Sequence, residues 1–449
     1  VPYSQTWSLG VQRSLGRKMA LDLRYVGSRG RDLWGEVNYN ESNILENGFL
    51  QEFRLAQANL QANLRSGRGA TFAYFGPGSG TSPLPIYLAY LNGVPTAFAG
   101  DPSRYTGTSW SDTNFTNPLA IFNPQPFAPA GVNANTGLDG AAARRPNARA
   151  AGLPANFFRA NPDLMGGAFV RTNREFTNYN ALEASFQRRY SQGFWLNANY
   201  AFSHAYSSST YTLRKSPVKT LNTGGEGGVT HTAKLYGGID LPFGKGRRFA
   251  GKANRLLDGI IGGWQLNFTA ILQSGRLIDF GNVRLVGMTR KEFQSAYKLR
   301  FDDAGRKIYM MPQDIIDNTV KAFSTQATST TGYGALGAPS GRYLAPAGGP
   351  DCIPITDTGI YGTNFGYDGC GTGELVVTGP MFKTVNLGIS KYFPVKGDAK
   401  IEFRAQLINA FNWANFTPVG VASSTTSAYE VTGLSDGPRI AELVLRFSW

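Results

Sequence analysis

The chain has 449 residues, a net charge of +14, 13% aromatic and only 16% charged residues, and it contains 55 glycines and 24 prolines. This composition favours many strands joined by turn-rich connections over a helical fold. No run of about 18 apolar residues occurs, which argues against a helical membrane span. The scattered Lys and Arg residues argue against a nucleic-acid-binding protein.

Period-two alternation of apolar and polar residues predicts antiparallel strands along the chain. In the first strand, Trp7, Leu9 and Val11 lie on one face and polar residues lie on the other. The last strand repeats this pattern and finishes on an aromatic residue, Trp449. The predicted strands, about nine in number, are residues 4–15, 19–29, 179–190, 194–204, 230–241, 264–274, 381–393, 400–411 and 439–449.

Four long connections, rich in Gly, Pro, Asn and Ala, separate these strands. Helical spacing of apolar residues predicts an amphipathic helix at residues 48–64 in the first connection. The third connection is predicted to hold two helices, one starting at the capping box of Thr289 and Glu292 and one following Pro312. The long connections are residues 30–178, 205–229, 275–380 and 412–438.

The lengths of the connections alternate along the chain. Short turns follow the first, third and seventh predicted strands, a medium connection at residues 242–263 follows the fifth, and long ones follow the others. Outer-membrane β-barrels have this asymmetry, with short periplasmic turns and long extracellular loops. The sequence therefore predicts an all-β fold: an antiparallel transmembrane β-barrel segment in a Gram-negative type outer membrane, with long extracellular loops that contain short helices.

The apolar face of each predicted strand is expected to contact outer-membrane lipid. Arg13, Arg188, Lys383 and Lys391 interrupt this face, but each lies within about three residues of a strand end, where lipid-facing charge costs little. Aromatic residues at the strand ends suit girdles at the two membrane interfaces. The competing interpretation is core packing in a soluble β-sandwich or propeller, which the polar opposite face disfavours.

Opposite charges pair on the polar face of the last two strands. One register places Glu402 opposite Arg446, and a slip of two residues places Arg404 opposite Glu442. The simpler interpretation is that these residues keep a water-filled lumen solvated and hold neighbouring strands together. The other interpretation is that they help to dock an internal plug.

Residue patterns for catalysis or metal binding are poorly represented. The two histidines, His204 and His231, lack metal-ligand spacing, and neither a phosphate-binding loop nor a Gly-x-Ser-x-Gly elbow occurs. The sequence therefore predicts no enzyme, no catalytic residue, no cofactor and no metal site. Cys352 and Cys370 are the two cysteines of the chain, and in an oxidising compartment they favour a loop-closing disulfide.

Leu443, Leu445, Phe447 and Trp449 alternate in a pattern that resembles the C-terminal signal by which outer-membrane proteins reach the barrel-assembly machinery. Other stretches are similar to the Oar-like branch of TonB-dependent transporters, of the acidobacterial type. They are PYSQTWSLG at 2–10, NGFLQEF at 47–53, NYNAL at 178–182, YAFSHA at 200–205, LPFG at 241–244 and FRAQLINAFN at 403–412.

The resemblance implies that residues 1–449 are the C-terminal part of a 22-stranded type of barrel. It also implies that the plug, the N-terminal domains and the contacts to the TonB complex lie outside this chain. The expected function is energy-coupled transport of a large solute such as a siderophore, an oligosaccharide or a peptide. The alternative is a structural or adhesive protein, or a protein-export channel, of the same barrel type. A soluble carbohydrate-binding β-protein is the third interpretation.

Overall fold

A computed structural model describes most of the chain. It has a broad antiparallel sheet, called the wall here, and two folded regions built from long connections at one end of it. The described residues are 1–122, 137–140, 144–163, 168–208, 213–214, 216–222, 228–302, 304–329, 331–355, 370, 374–395 and 398–449.

Fifteen strands are present among these residues. They are β1 Tyr3–Leu15, β2 Met19–Asn38, β3 Phe169–Ser191, β4 Phe194–Ser208, β5 Lys219–Leu221, β6 His231–Asp240, β7 Trp264–Gln273, β8 Leu277–Val286, β9 Arg300–Phe301, β10 Ile308–Tyr309, β11 Tyr343–Pro346, β12 Glu374–Thr378, β13 Phe382–Pro394, β14 Lys400–Ile408 and β15 Ile440–Ser448.

The wall is a ten-stranded sheet in the order β1-β2-β3-β4-β6-β7-β13-β14-β15, with the short β5 beside β4. Its ladders are antiparallel, so the alternating apolar and polar residues of every strand fall on two different faces. Within the described part of the chain, β1 and β15 each pair on one side, and the sheet is not closed. The predicted all-β, antiparallel class is confirmed, and each predicted strand corresponds to a strand of the wall.

The first long connection is shorter than predicted, because the hairpin of β2 and β3 continues past residue 30 to Asn38 and back from Phe169. The pairing shifts between Gly30 and Leu33 and again between Leu33 and Gly35, which marks bulges in the ladder. A bulge resets the side-chain alternation, so the period-two pattern in the sequence is lost there although the pairing continues.

The eighth predicted strand was expected to reach residue 411, but β14 ends at Ile408. Asn409 and Asn412 adopt the left-handed conformation, with φ of 48° and 53°. Asparagine tolerates this conformation and terminates a ladder. The strand prediction was therefore wrong over the last three positions, where apolar residues in the sequence concealed a turn.

Six helices occur in the described connections. They are α1 Phe49–Arg65, α2 Pro85–Asn92, α3 Arg144–Ala150, α4 Arg255–Ile261, α5 Arg290–Ala296 and α6 Gln313–Phe323. α1 lies one residue from the predicted bounds, and α5 begins at the predicted capping box, with both reciprocal hydrogen bonds of Thr289 and Glu292 formed. Among the described residues, no helix is both long and apolar enough to cross a membrane.

Long connections leave the wall at one end and short ones at the other. The turns after β1, β3 and β13 are tight, whereas the described residues within 39–168 and within 274–381 fold into bodies with their own cores. We call residues 39–168 the first loop module. The second loop module comprises residues 274–381 and 409–439, and it contains a three-stranded sheet in the order β11-β8-β12 that the sequence pattern did not predict.

Candidate functional site: the polar face and the loop modules

The polar face of β1, β2, β3, β4 and β6 encloses a cavity of about 450 Å³. Antiparallel register places Arg24 opposite Glu183 and Lys234 opposite Asn199, so charged and neutral polar groups share this surface. The polar side chains that line the cavity are Gln12, Asp22, Arg24, Glu183, Ser185, Gln187, Asn199, Thr232 and Lys234.

Acidic and basic groups balance in this cavity. Arg24 lies 3.8 Å from Asp22, and the Ser185 hydroxyl donates a hydrogen bond of 2.7 Å to Asn199 Oδ1. Such a surface binds water and polar partners through hydrogen bonds and carries little net charge. Its many donors and acceptors suit contact with water.

The predicted charge pairs of the last two strands fall in one of the two registers considered. Glu402 lies directly opposite Arg446, whereas Arg404 faces Val444 and Glu442 faces Gln406. The closest ion pair joins Glu402 to Arg404 on the same strand, at 2.5 Å. The register with Glu402 opposite Arg446 is therefore present, and Arg404 rather than Arg446 is the direct partner of Glu402.

The opposite, apolar face is strongly exposed. Leu9 of β1 and Leu443 and Leu445 of β15 are 73%, 74% and 74% exposed, and Phe447 and Trp449 are exposed as well. Water would oppose an apolar surface of this extent, whereas a bilayer would stabilise it. On the same face the Trp7 indole occupies the space above Gly27, where a Cβ atom would lie 2.2 Å from the ring.

Three of the four charges on the apolar face sit beside aromatic rings. Arg188 lies over Phe194 at 5.2 Å, Lys383 over Trp413 at 4.6 Å and Lys391 over Trp264 at 5.6 Å from the ring centroids. Contact between a cation and an aromatic face compensates part of the lost hydration. The sequence placed these residues near strand ends but gave no sign of the rings that cover them.

Buried aromatic residues form the core of the first loop module. Phe49 and Phe53 of α1 are fully buried, and Phe49 packs edge to face against Phe158 with ring centroids 4.8 Å apart. Glu52 lies in the same core and accepts hydrogen bonds from the backbone N–H groups of Ile86 and Tyr87 at the start of α2. Burial raises the pKa of this carboxyl to about 7.

The second loop module packs helices against its small sheet. Phe293 of α5, Ile315 and Ile316 of α6 and Leu344 of β11 are fully buried. The connection between β14 and β15 contributes to this core through Tyr429, and the Tyr297 hydroxyl donates to the carbonyl of Val419 at 2.7 Å. Two separate connections are therefore held together as one body.

The two loop modules are joined by a segment of the second connection, residues 350–355, which we call the clasp. Ile353 and Ile355 are buried in the core of the first loop module. Arg54 of α1 donates to Asp351 at 2.6 Å, and the N–H of Ser42 donates to the carbonyl of Ile355 at 2.8 Å. Cys352, within the clasp, forms a disulfide with Cys370, with the Cα atoms 5.6 Å apart.

The histidines stay apart from any ligand cluster in the part of the chain that is described. His231 Nδ1 is hydrogen-bonded to the Tyr200 hydroxyl at 2.8 Å, and His204 stacks near Tyr206. No group of three or more His, Cys, Asp or Glu side chains that could hold a metal ion occurs among the described residues.

The family model for the outer membrane beta barrel domain matches residues 1–441. The chain belongs to this family. An outer membrane β-barrel domain is located in the outer membrane. We propose that lipid covers the exposed apolar face of the wall there, and we call this face the lipid-facing surface. None of the curated proteins matches this chain.

Among solved structures, the outer membrane transporter YddB from Escherichia coli is similar to this outer membrane β-barrel domain. The two chains share 8% sequence identity with a TM-score of 0.31, and the match covers 98% of this chain and 32% of that one. The domain therefore spans about a third of the length of YddB.

Proposed function

We propose that the chain forms part of the wall and loops of a TonB-dependent outer-membrane transporter for a large solute, coupled to energy through a plug outside this chain. A siderophore, an oligosaccharide or a peptide is the expected kind of solute. Its passage needs no covalent chemistry, because binding by the loops is followed by rearrangement of the plug.

One observation carries this proposal: the long connections at one end of the wall fold into two modules with buried cores, joined by the clasp. A body of this kind above a wetted polar face presents a preorganised surface to a solute, because its shape does not have to be ordered on binding. On this proposal the cavity lined by Arg24, Glu183 and Lys234 faces the plug.

The proposal places the long connections outside the cell and the short turns in the periplasm. Leu119, in the first loop module, is 72% exposed, and Lys245 is exposed in the connection between β6 and β7 at the other end. In intact cells a membrane-impermeant maleimide should label Leu119→Cys at once. It should label Lys245→Cys only after the outer membrane is permeabilised. The reverse pattern would overturn the orientation.

A photo-cross-linking residue in place of Asn199 tests the plug. Asn199 lines the polar cavity, and Ser185 is its direct hydrogen-bond partner. Mass spectrometry should identify a plug domain attached at this position, and the complete reading frame should encode a TonB-contacting segment. If Asn199 cross-links to no plug domain and the reading frame encodes no TonB-contacting segment, the alternative function is favoured: a structural or adhesive protein, or an export channel.

The same proposal assigns Leu443, Leu445, Phe447 and Trp449 to recognition by the barrel-assembly machinery. These side chains alternate along an edge strand and are exposed on the lipid-facing surface, where another protein can reach them. A β-strand edge with free backbone groups pairs readily with a further strand.

A further inference from the structure

The connection between β6 and β7 carries the short helix α4, and this helix lies on the lipid-facing side of the wall. Trp264 Nε1 donates to the carbonyl of Ile260 at 2.8 Å, and Lys391 Nζ donates to the carbonyl of Gly259 at 2.5 Å. Lys391 and Trp264 are direct partners in the ladder of β13 and β7, on its apolar face. The C-terminal carbonyls of α4 are thus held against the lipid-facing surface, at the end of the wall that carries the short turns.

The polar groups of α4 point back to its own connection. The Asn254 side chain accepts from the N–H of Leu257 at 2.8 Å and caps the helix, and Asp258 Oδ1 accepts from the N–H of Lys245 at 2.5 Å. These contacts fix the orientation of the helix, because both its start and its one acidic side chain are anchored.

The apolar side of α4 is left uncovered. Leu256 is 82% exposed and Ile260 is 69% exposed, and the neighbouring Leu257 is exposed as well. Large aliphatic side chains concentrated on two helical turns are unfavourable in water and mark a contact surface. Because Trp264 links this helix to the lipid-facing surface, the patch continues that surface at its rim.

Basic residues surround this apolar patch. Residues 242–263 contain one acidic residue, Asp258, and its backbone hydrogen bond directs it into the connection. Exposed basic side chains dominate the solvent side, and they are Lys245, Arg247, Arg248, Lys252 and Arg255. A short amphipathic helix with exposed aliphatic residues and a basic flank is the pattern of an element that lies in a bilayer interface beside anionic lipids.

We propose that α4 and the basic turn before it form an interfacial anchor that binds anionic phospholipid headgroups of the bilayer. Leu256 and Ile260 insert among the acyl chains, and Lys245, Arg248 and Lys252 contact the phosphate level. Lys391 and Trp264 hold the helix at this depth. The anchor requires the outer-membrane location and not transport, so it stands even where the proposed solute or plug fails.

Quenching by brominated lipid tests the anchor in the full chain reconstituted into vesicles. Leu257→Cys carries a fluorescent label, and the native cysteines do not compete because Cys352 and Cys370 are bonded to each other. Brominated phosphatidylglycerol should quench the label at least about threefold more than brominated phosphatidylcholine at the same mole fraction, because basic residues are attracted to an anionic surface. High salt should reduce this ratio.

Charge-removing variants identify the residues responsible. Replacement of Lys245, Arg248 and Lys252 by Gln should bring the quenching ratio close to one. A matched control replaces three exposed basic residues of the second loop module by Gln and should leave the ratio unchanged; these are Lys291, Lys298 and Arg306. Leu256→Ser with Ile260→Ser should weaken quenching by both lipids, because the aliphatic side chains that enter the bilayer are lost while the backbone contacts to Lys391 and Trp264 remain.

Three results would overturn the anchor. Equal quenching by the two lipids in the starting protein would remove the preference for anionic headgroups. Absence of quenching by either lipid would show that the helix does not lie in the membrane interface. An equal loss in the control variant would show that total charge, and not this connection, attracts the lipid.

Discussion

At the first turn of α2, a side chain from another helix supplies the cap that the local sequence lacks. Pro85 has no N–H, and Leu84 has no side-chain oxygen to accept from the turn. Glu52 of α1 accepts from Ile86 and Tyr87 instead, at 2.9 and 2.8 Å. Burial outweighs these two hydrogen bonds, so the pKa of Glu52 rises from 4.5 to about 7.

The raised pKa of Glu52 predicts that the first loop module is more stable in acid. The folded pKa lies above the ordinary value, so the contribution of this carboxyl is fully present below about pH 4.5 and is lost as the pH rises through 7. The loss amounts to about 3 kcal/mol at about 1.4 kcal/mol per pKa unit. Thermal unfolding of the module between pH 4 and 8 should show this decline. Glu52→Gln should reduce it and leave the smaller part that belongs to Asp139, whose pKa burial raises to about 6 in the same module.

Glu292 offers a matched control, because its pKa is shifted in the opposite direction to that of Glu52. This exposed carboxylate accepts from the N–H and hydroxyl of Thr289, and these hydrogen bonds hold its pKa below the ordinary value. Its contribution is therefore present above about pH 4.5 and is lost as the pH falls. Glu292→Gln should leave the decline between pH 5 and 7 in place, and a decline of unchanged size in Glu52→Gln would contradict the assignment to Glu52.

The ion pair of Glu402 and Arg404 predicts unequal coupling among the charges of the polar face. A double-mutant cycle of Glu402→Gln and Arg404→Gln should give a favourable but modest coupling, since the pair is close but Arg404 is half exposed. The cycle of Glu402→Gln and Arg446→Gln should give less. Urea unfolding in detergent measures both couplings, and a larger value for Arg446 would show that cross-strand pairing dominates.

At the scale of elements, β15 is an edge strand of the described sheet, and its two faces carry different side chains: apolar ones on the lipid-facing side and mainly polar ones on the other. Leu443, Leu445 and Phe447 are exposed on one face, while Glu442 and Arg446 lie on the other. Each side of the strand can therefore be altered without altering the other. This separation allows the assembly function of β15 to be tested apart from its pairing with β14.

Deletion of Phe447 to Trp449 from the full-length protein should abolish its assembly in the outer membrane. Phe447→Ala with Trp449→Ala should reduce the level strongly, because the exposed aromatic residues are the proposed recognition surface. Ser448→Ala, on the opposite face, is the control and should assemble normally. Outer-membrane fractions separated after pulse labelling give the levels, and a normal level of the deletion protein would refute the assembly signal.

The strands were predictable where alternation stays in phase. β1 extends over Tyr3–Leu15, one residue from its predicted start, because each of its side chains keeps one face. The extension of β2 to Asn38 was missed because bulges near Leu33 change the phase. The burial of Lys391 was missed because α4, which covers it, comes from a distant part of the chain.

The polar face was predicted in outline, and the loop cores were not. Cross-strand neighbours such as Glu402 and Arg446 follow from strand order and from one of the two registers that the sequence pattern left open. The core of the first loop module joins residues far apart, such as Phe49 and Phe158, with no fixed spacing between them. Only the helical period of α1 was visible locally.

At the scale of the whole molecule, the clasp makes the two loop modules dependent on each other. Ile353 and Ile355 complete the core of the first module while their neighbours in the chain belong to the second. The disulfide of Cys352 and Cys370 joins the clasp to a residue 18 positions later in the chain. A displacement of one module therefore acts on the other through residues 350–355.

Removal of the disulfide should loosen the clasp and leave the second module intact. Closure of a loop of this length contributes about 3 kcal/mol in the chain-entropy account. In Cys352→Ser with Cys370→Ser, the amide of Ser42, which donates to Ile355, should exchange faster with solvent. The amide of Leu344 in β11, which donates to Thr319, is the internal control. Equal acceleration at both amides would indicate general destabilisation instead.

The long sequence separation within the clasp also orders events during biogenesis. Arg54 and Asp351 are 297 positions apart, and all of β3, β4, β6 and β7 lie between them. Contacts between such distant residues form late, since the intervening chain must first be placed. The first module therefore completes its core only when residues made nearly 300 positions later reach it, so its folding is tied to the placement of the strands between.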